Sequence, residues 1–239
     1  MCFHYSLTKR KTEIEIQLGV SWDDDWQPVY HAAAFTFSRM PVITQQQPNQ
    51  IQMFKWGLIP HWVKTKTDAD KLSAQTLNAR SETVFEKPSF RSYISNNRCL
   101  IPADGFFEWM DCNKKKYPHF IQVKNHELFC FAGIYSSWVD KETGELIYSF
   151  SILTTDANPM LEKIHNLKKR MPVIVHPSLY HKWLSPDLTK DAIVSFFIPY
   201  PEEEMQNHTI SKRITSRTED SNVPETLTPF NYPELELLK

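Results

Sequence analysis

Four segments in the middle of the chain, Phe106 to Met110, Tyr117 to Val123, Leu128 to Tyr135 and Ile147 to Thr154, are dense in aromatic and β-branched residues. Polar connections such as Asp111 to Lys116 and Asp140 to Glu145 cut them apart. Side chains that are bulky close to the backbone fit a pleated surface better than a helix, so the pattern predicts consecutive strands in an antiparallel meander. Met40 to Thr44 and Gln50 to Trp56 add earlier strands, and Pro172 to His176 a later one. Helical signals are brief. Pro88 precedes Ser89 to Ser95, Asn158 and Pro159 supply a cap and first position for a segment ending near Ile164, and Pro177 opens Ser178 to Leu184. The expected class is α+β, an antiparallel sheet curled toward a barrel with short flanking helices. No internal repeat, glycine-rich linker or compositional break interrupts residues 1–239, so a single domain is expected, with a C-terminal tail from about residue 218. Within that tail, Tyr232 to Lys239 is expected to lie over the body.

Composition narrows the setting. Apolar residues make up 41% and charged residues 23% of the chain, the balance of a folded, soluble globule. Four cysteines (Cys2, Cys99, Cys112, Cys130) lie far apart, and nothing at the start resembles an export signal. A reduced, cytoplasmic setting without a zinc site is expected. No apolar stretch approaches the ~20 residues of a membrane span. A formal net charge of −1 argues against a protein that coats duplex DNA by bulk charge. Basic residues are nevertheless grouped: Lys64, Lys66 and Lys71 after Trp62; Lys114 to Lys116; Lys168 to Arg170; and Lys212, Arg213 and Arg217. Such local groups are what a phosphate groove requires.

Glycine is scarce, five in all, with Gly57, Gly105 and Gly133 in the apolar middle segments. There is no phosphate-cradling glycine loop, no H-E-x-x-H and no G-x-S-x-G, which weakens the nucleotide-binding, metalloprotease and serine-hydrolase readings. Cys2 offers different chemistry. Removal of Met1 leaves a thiol and an α-amine on adjacent carbons, and such a pair captures an aldehyde, first as an imine and then as a thiazolidine ring. Both groups have reactive fractions near neutral pH, since an α-amine titrates at roughly 7.7 to 8.0 and a thiol at about 8.5.

Three further segments hold side chains that such chemistry needs. Glu108 lies in a strand packed with aromatics, where desolvation raises a carboxyl pKa and keeps a proton available to a sugar ring oxygen. His165, near a helix C-terminus, can shuttle a proton. Asn78 can orient an amine or hydroxyl without titrating, and Arg80 can hold a phosphate with its planar fork.

Together these segments resemble the SOS-response-associated peptidase (SRAP) family. The resemblance covers most of the chain: Met1-Cys2; Trp56 to Trp62; Asn78-Ala79-Arg80-Ser81-Glu82-Thr83; Arg98 to Trp109; and Ile164-His165 followed by Arg170-Met171-Pro172. It implies an abasic-site processing protein that binds single-stranded DNA and links Cys2 covalently, as a thiazolidine, to the ring-opened abasic sugar. It also implies self-cleavage that exposes Cys2. By the resemblance Asn78, Glu108 and His165 join Cys2 as the catalytic group, Arg80 contacts phosphate, and Trp62 and Trp109 are stacking or wedge residues. No cofactor, metal or membrane is implied, and a cytoplasmic location with association to the nucleoid on damage is expected. Stacking on tryptophan suits single strands of any sequence.

The chain departs from the family pattern in places. Phe3 and His4 follow Cys2 where the family usually has Gly-Arg, Tyr30-His31-Ala32-Ala33-Ala34 replaces Tyr-Asn-Val-Ala-Pro, and the late segment Ile210 to Thr215 ends in threonine where asparagine is common. His165 also stands further from Arg170-Met171-Pro172 than usual. Two other readings stay open: a peptidase or amidohydrolase using Cys2 on other substrates, and a non-catalytic single-strand DNA-binding module.

Overall fold

The computed structural model describes residues 2–236. Its strands are β1 (His4–Leu7), β2 (Val29–Ala33), β3 (Arg39–Thr44), β4 (Ile51–Trp56), β5 (Asn78–Arg80), β6 (Arg98–Ala103), β7 (Gly105–Cys112), β8 (Lys115–Val123), β9 (Phe129–Val139), β10 (Leu146–Asp156), β11 (Arg170–Pro172), β12 (Ile174–Val175) and β13 (Met205–Thr209). Among the helices are α1 (Lys11–Leu18), α2 (Lys66–Ser73) and α3 (Pro159–Ile164). Strands β10, β4, β3, β6 and β9 pair in that order, and β9 pairs back onto β10, closing a five-stranded barrel. The second sheet runs β13-β8-β7-β1-β2. The α+β class with a barrel-like sheet is therefore the observed one.

The meander is not continuous. β7 and β8 form the expected hairpin, with Phe106 opposite Ile121, but β9 leaves β8 for the other sheet and lies between β6 and β10. The cause is burial on both faces: β9 is buried from Phe129 through Ser136, and β10 from Ser149 through Thr155. Strands of that kind sit inside a closed layer, whereas a half-polar strand can form an outer hairpin. β10 also runs parallel to β4 and β5, so the pairing is not wholly antiparallel. Pro172 to His176 forms two short strands, β11 on β10 and β12 on β9.

Ser89 to Ser95 is a succession of turns instead of a helix. Arg98, fully buried, explains why: its guanidinium donates to the carbonyls of Ile94 and Ser95, and its Nε to Trp183, so those oxygens are satisfied without continuing a helical ladder. Asn158 caps α3 as expected, its Oδ1 accepting from Leu161 N at 2.8 Å. Pro177 opens a short 3-10 turn and then a helical turn, Tyr180–Trp183. Tyr232 packs onto the body and its hydroxyl donates to the Ile210 carbonyl at 2.9 Å; Leu237 to Lys239 lie outside the described residues.

Two glycines are required by local geometry. Gly57 leaves β4 with φ +111°, where a side chain is strained, and a Cβ at Gly105 would run into the Phe120 ring. One core cluster gathers Cys2, Tyr5, Trp56, Phe106, Phe131 and Phe150, with Tyr5 tilted against Trp56 at 5.1 Å. Full burial of each large apolar side chain contributes roughly 1.5–3 kcal/mol, so the start of the chain is fixed by the core. Asp104 strengthens that hold by accepting from Ser6 Oγ at 2.5 Å and Thr8 Oγ1 at 2.6 Å.

Candidate active site

Antiparallel pairing of β1 with β7, Tyr5 opposite Phe106, carries the residues before Tyr5 alongside Phe107 to Trp109. Cys2 thereby comes under the electrostatic influence of the Glu108 carboxyl, and its thiol donates to the His4 carbonyl at 3.7 Å. Burial first, and the Glu108 charge second, push the thiol well above its ordinary pKa. Cys2 is 0% exposed in the chain that begins with Met1; Met1 itself lies outside the described residues.

Glu108 is 4% exposed, and burial pushes its carboxyl up to about 8. His165 closes α3, with Nδ1 3.7 Å from Glu108 Oε1 and 2.8 Å from the Arg170 carbonyl. A carbonyl only accepts, so Nδ1 carries the proton and Nε2 the lone pair. Burial pulls this imidazole down to about 4. At neutral pH the two groups are thus a protonated acid beside a neutral base, not an ion pair.

The longer spacing between His165 and Arg170 is absorbed locally. The His165 carbonyl accepts from Lys169 N at 2.7 Å, Lys169 takes φ +49°, and Asn166 clasps the backbone of Asp111, donating to its carbonyl at 2.7 Å and accepting from its N–H at 3.0 Å. Arg170 is buried and forked onto Glu82, with Asp156 at 2.8 Å. It is therefore a tether between the 78–83 segment and the His165 turn, and not part of a solvent-facing basic group. Asn166 follows His165 in the sequence, but only the fold reveals its clasp.

Glu108, Trp109 and His165 line one cavity of about 410 Å³, together with Phe3, His4, Lys116 and Lys168. Cys2 is not among the lining residues; its neighbours Phe3 and His4 are. Asn78 and Arg80 lie on β5, paired beside Ile152 and Thr154 of β10, outside the residues lining that cavity. Asn78 is 8% exposed and neither atom of its amide has a hydrogen-bond partner among the described residues, an arrangement that costs free energy unless a ligand completes it. Arg80 is exposed. Trp62 is 48% exposed and walls a separate cavity with Lys64 and Lys71, so it is not a core residue. Trp109 is half-buried, its ring edge-on to His4 at 4.8 Å. Among the described residues no group of three or more His, Cys, Asp or Glu is placed to hold a metal ion.

The pattern of the SOS response associated peptidase (SRAP) family matches residues 1–217. The chain belongs to that family. It is 34% identical over 226 residues to the abasic site processing protein YoqW of Bacillus subtilis, covering 92% of this chain and 97% of that one. It is 32% identical over 211 residues to the abasic site processing protein HMCES of Pongo abelii, covering 76% of this chain but 57% of that longer protein. A crystal structure of a protein from Bacteroides thetaiotaomicron superposes with a TM-score of 0.90 at 39% identity, over 96% of this chain and 100% of that one. Against the family pattern, the substituted Phe3 and His4 are walls of the cavity itself.

Proposed function

We propose that this protein processes abasic sites in DNA, binding the single strand and joining Cys2 covalently to the ring-opened sugar. The observation that carries the reading is the Glu108 carboxyl and the His165 imidazole 3.7 Å apart on the wall of one cavity, with burial raising the carboxyl's pKa and lowering the imidazole's, and the Cys2 thiol within the field of the same carboxyl. Relatives named for abasic-site processing support the substrate class.

The reaction begins when hydrolysis of the Met1–Cys2 amide, water adding across the bond, frees the Cys2 amine. Glu108 gives a proton to the sugar ring oxygen as the ring opens to the aldehyde, and His165 Nε2 takes the proton of the anomeric hydroxyl. His165 hands that proton back to the Glu108 carboxylate, and the amine adds to C1′ and passes a proton to its oxygen. The carbinolamine loses water with the proton that Glu108 again carries, and the thiol adds to the resulting iminium carbon while its proton returns to the Glu108 carboxylate. The sum is aldehyde plus aminothiol giving thiazolidine plus water. Asn78 orients the amine or a sugar hydroxyl, Arg80 holds a backbone phosphate, and Trp62 and Trp109 stack on or wedge between bases. The protein acts in the cytoplasm and gathers on the nucleoid after damage.

Incubation of purified protein with a single-stranded oligonucleotide carrying one abasic site is expected to give a species that survives denaturing electrophoresis and is absent with Cys2→Ala. Intact-mass measurement is expected to find the crosslinked chain beginning at Cys2. An acyl-enzyme with amide substrates and no DNA adduct would mark a different amidohydrolase, and full function in Cys2→Ala would mark a binding module; either result overturns the reading.

A further inference from the structure

The cavity that Glu108 and His165 line is also lined by His4, from which a second line of polar atoms begins. His4 Nδ1 lies 2.8 Å from His31 Nε2, and His31 Nδ1 lies 2.8 Å from Ser221 Oγ. The two rings stack at 5.0 Å, Trp109 fixes the edge of His4, and Phe107 stands edge-on to His31 at 5.6 Å. The outer end is also held: Asn222 Oδ1 accepts from Tyr30 N at 2.8 Å, and the Ser221 carbonyl accepts from Thr226 Oγ1 at 2.8 Å. The line thus runs from the cavity, through β1 and β2, to a half-exposed serine of the C-terminal segment.

Each junction places one proton between two atoms able to accept it, so the line has two directions. In one, Ser221 donates to His31 Nδ1, His31 Nε2–H donates to His4 Nδ1, and His4 carries its own proton on Nε2. In the other, His4 Nδ1–H donates to His31 Nε2, His31 Nδ1–H donates to Ser221, and His4 Nε2 is left with a lone pair. The exchange is neutral overall: one proton leaves His4 Nε2 to solvent and one enters at Ser221. A phosphodiester oxygen can only accept a hydrogen bond, so it selects the first direction; the second would set a lone pair against an anion.

We propose that His4 is the residue that donates to a backbone phosphate oxygen in this cavity, and that His31 and Ser221 are positioning residues that set its donor tautomer. Burial supports the picture, because it pulls His4 down to about 3 and His31 to about 4, so that each ring holds a single proton at neutral pH and the choice of nitrogen matters. Lys116 and Lys168 on the same walls supply the charge that attracts the anion, and His4 supplies the direction. The inference rests on the DNA-binding reading and deepens it.

The test uses a single-stranded oligonucleotide with a tetrahydrofuran abasic analogue, which has no aldehyde and cannot crosslink. Nitrogen-15 histidine spectra of the wild-type protein are expected to place the His4 proton on Nε2 in the complex. His31→Phe is expected to weaken binding five- to tenfold, with His31→Gln, whose amide still donates to His4 Nδ1, restoring it to within twofold, and His4→Phe adding nothing to His31→Phe. A bound-state Nδ1–H tautomer, or equal affinities in wild type, His31→Phe and His31→Gln, overturns the relay while leaving DNA binding intact. A wild-type protein that does not bind the oligonucleotide overturns the DNA-binding reading, and this inference with it.

Discussion

Glu108→Gln is expected to stabilise the folded protein while disabling it. The native carboxyl keeps its proton up to about pH 8 because it is buried, whereas the same group in the unfolded chain releases it near 4.5. Across that window Glu108 binds more proton in the folded state, so its contribution to stability is greatest below pH 4.5, declines as pH rises through the window, and levels off above about 8. At pH 7 the accumulated cost is about 3 kcal/mol at ~1.4 kcal/mol per unit. Glutamine has the same shape and no proton to lose, and therefore escapes that cost. For a chain of this length the gain corresponds to a melting temperature roughly 6–12 °C higher at pH 7, shrinking to a degree or two at pH 5. Scanning calorimetry of both proteins at pH 5, 6, 7 and 8.5 measures it. A difference that does not grow with pH, or a glutamine variant less stable at pH 7, would refute the claim that the acid is held protonated.

The same variant is expected to form adduct about 10²–10⁴-fold more slowly while its affinity for the abasic analogue stays within twofold, because general acid catalysis acts on the chemical step; equal losses would assign Glu108 to structure. Trp62→Ala should weaken single-strand binding by about 1–3 kcal/mol in a fluorescence titration with no change in melting temperature, since the ring is 48% exposed. Asn166→Ala removes both hydrogen bonds to the Asp111 backbone and should cost about 1–3 kcal/mol in urea unfolding, together with a slower adduct rate as the His165 turn loosens. Lys116→Ala and Lys168→Ala should each reduce the salt dependence of binding by roughly 0.7 in the log–log slope; an unchanged slope would place the strand outside this cavity.

What the sequence made legible was local. Strand identity followed from branched and aromatic residues at β3, β4 and β7 through β10, because those side chains decide their own backbone preference. Neighbouring strands pair as expected at β3–β4, β7–β8 and β9–β10, but the break between β8 and β9 did not follow, since β9 looks like the next member of a hairpin series until its double-sided burial is known. The turns at 89–95 depended on a guanidinium from Arg98 that no helical signal announces. Within the site, Cys2, Glu108 and His165 stood out by chemistry, and the fold brings Glu108 and His165 to one cavity with Cys2 behind it. Asn78 and Arg80 lie on a different strand edge and Trp62 on another cavity, distances that spacing in the chain does not encode. The His4–His31 contact joins residues 27 apart through strand pairing, and each histidine alone carries no signal.

The uncommon protonation states follow from one cause and serve one end. An amine is nucleophilic only without its proton, and a carboxylate beside it would hold that proton on. In the proposed reaction, the same burial that raises the Glu108 pKa removes a negative charge that would otherwise favour the ammonium form of the amine that cleavage of Met1 would free. A neutral His165 would add no positive charge against the iminium of that reaction. In the proposed reaction a thiol whose pKa burial raises would be a poor nucleophile toward the aldehyde, which disfavours diversion to a hemithioacetal. On the proposed reaction, burial would order the steps, amine before sulfur, at the cost of the folding stability that Glu108→Gln is expected to return.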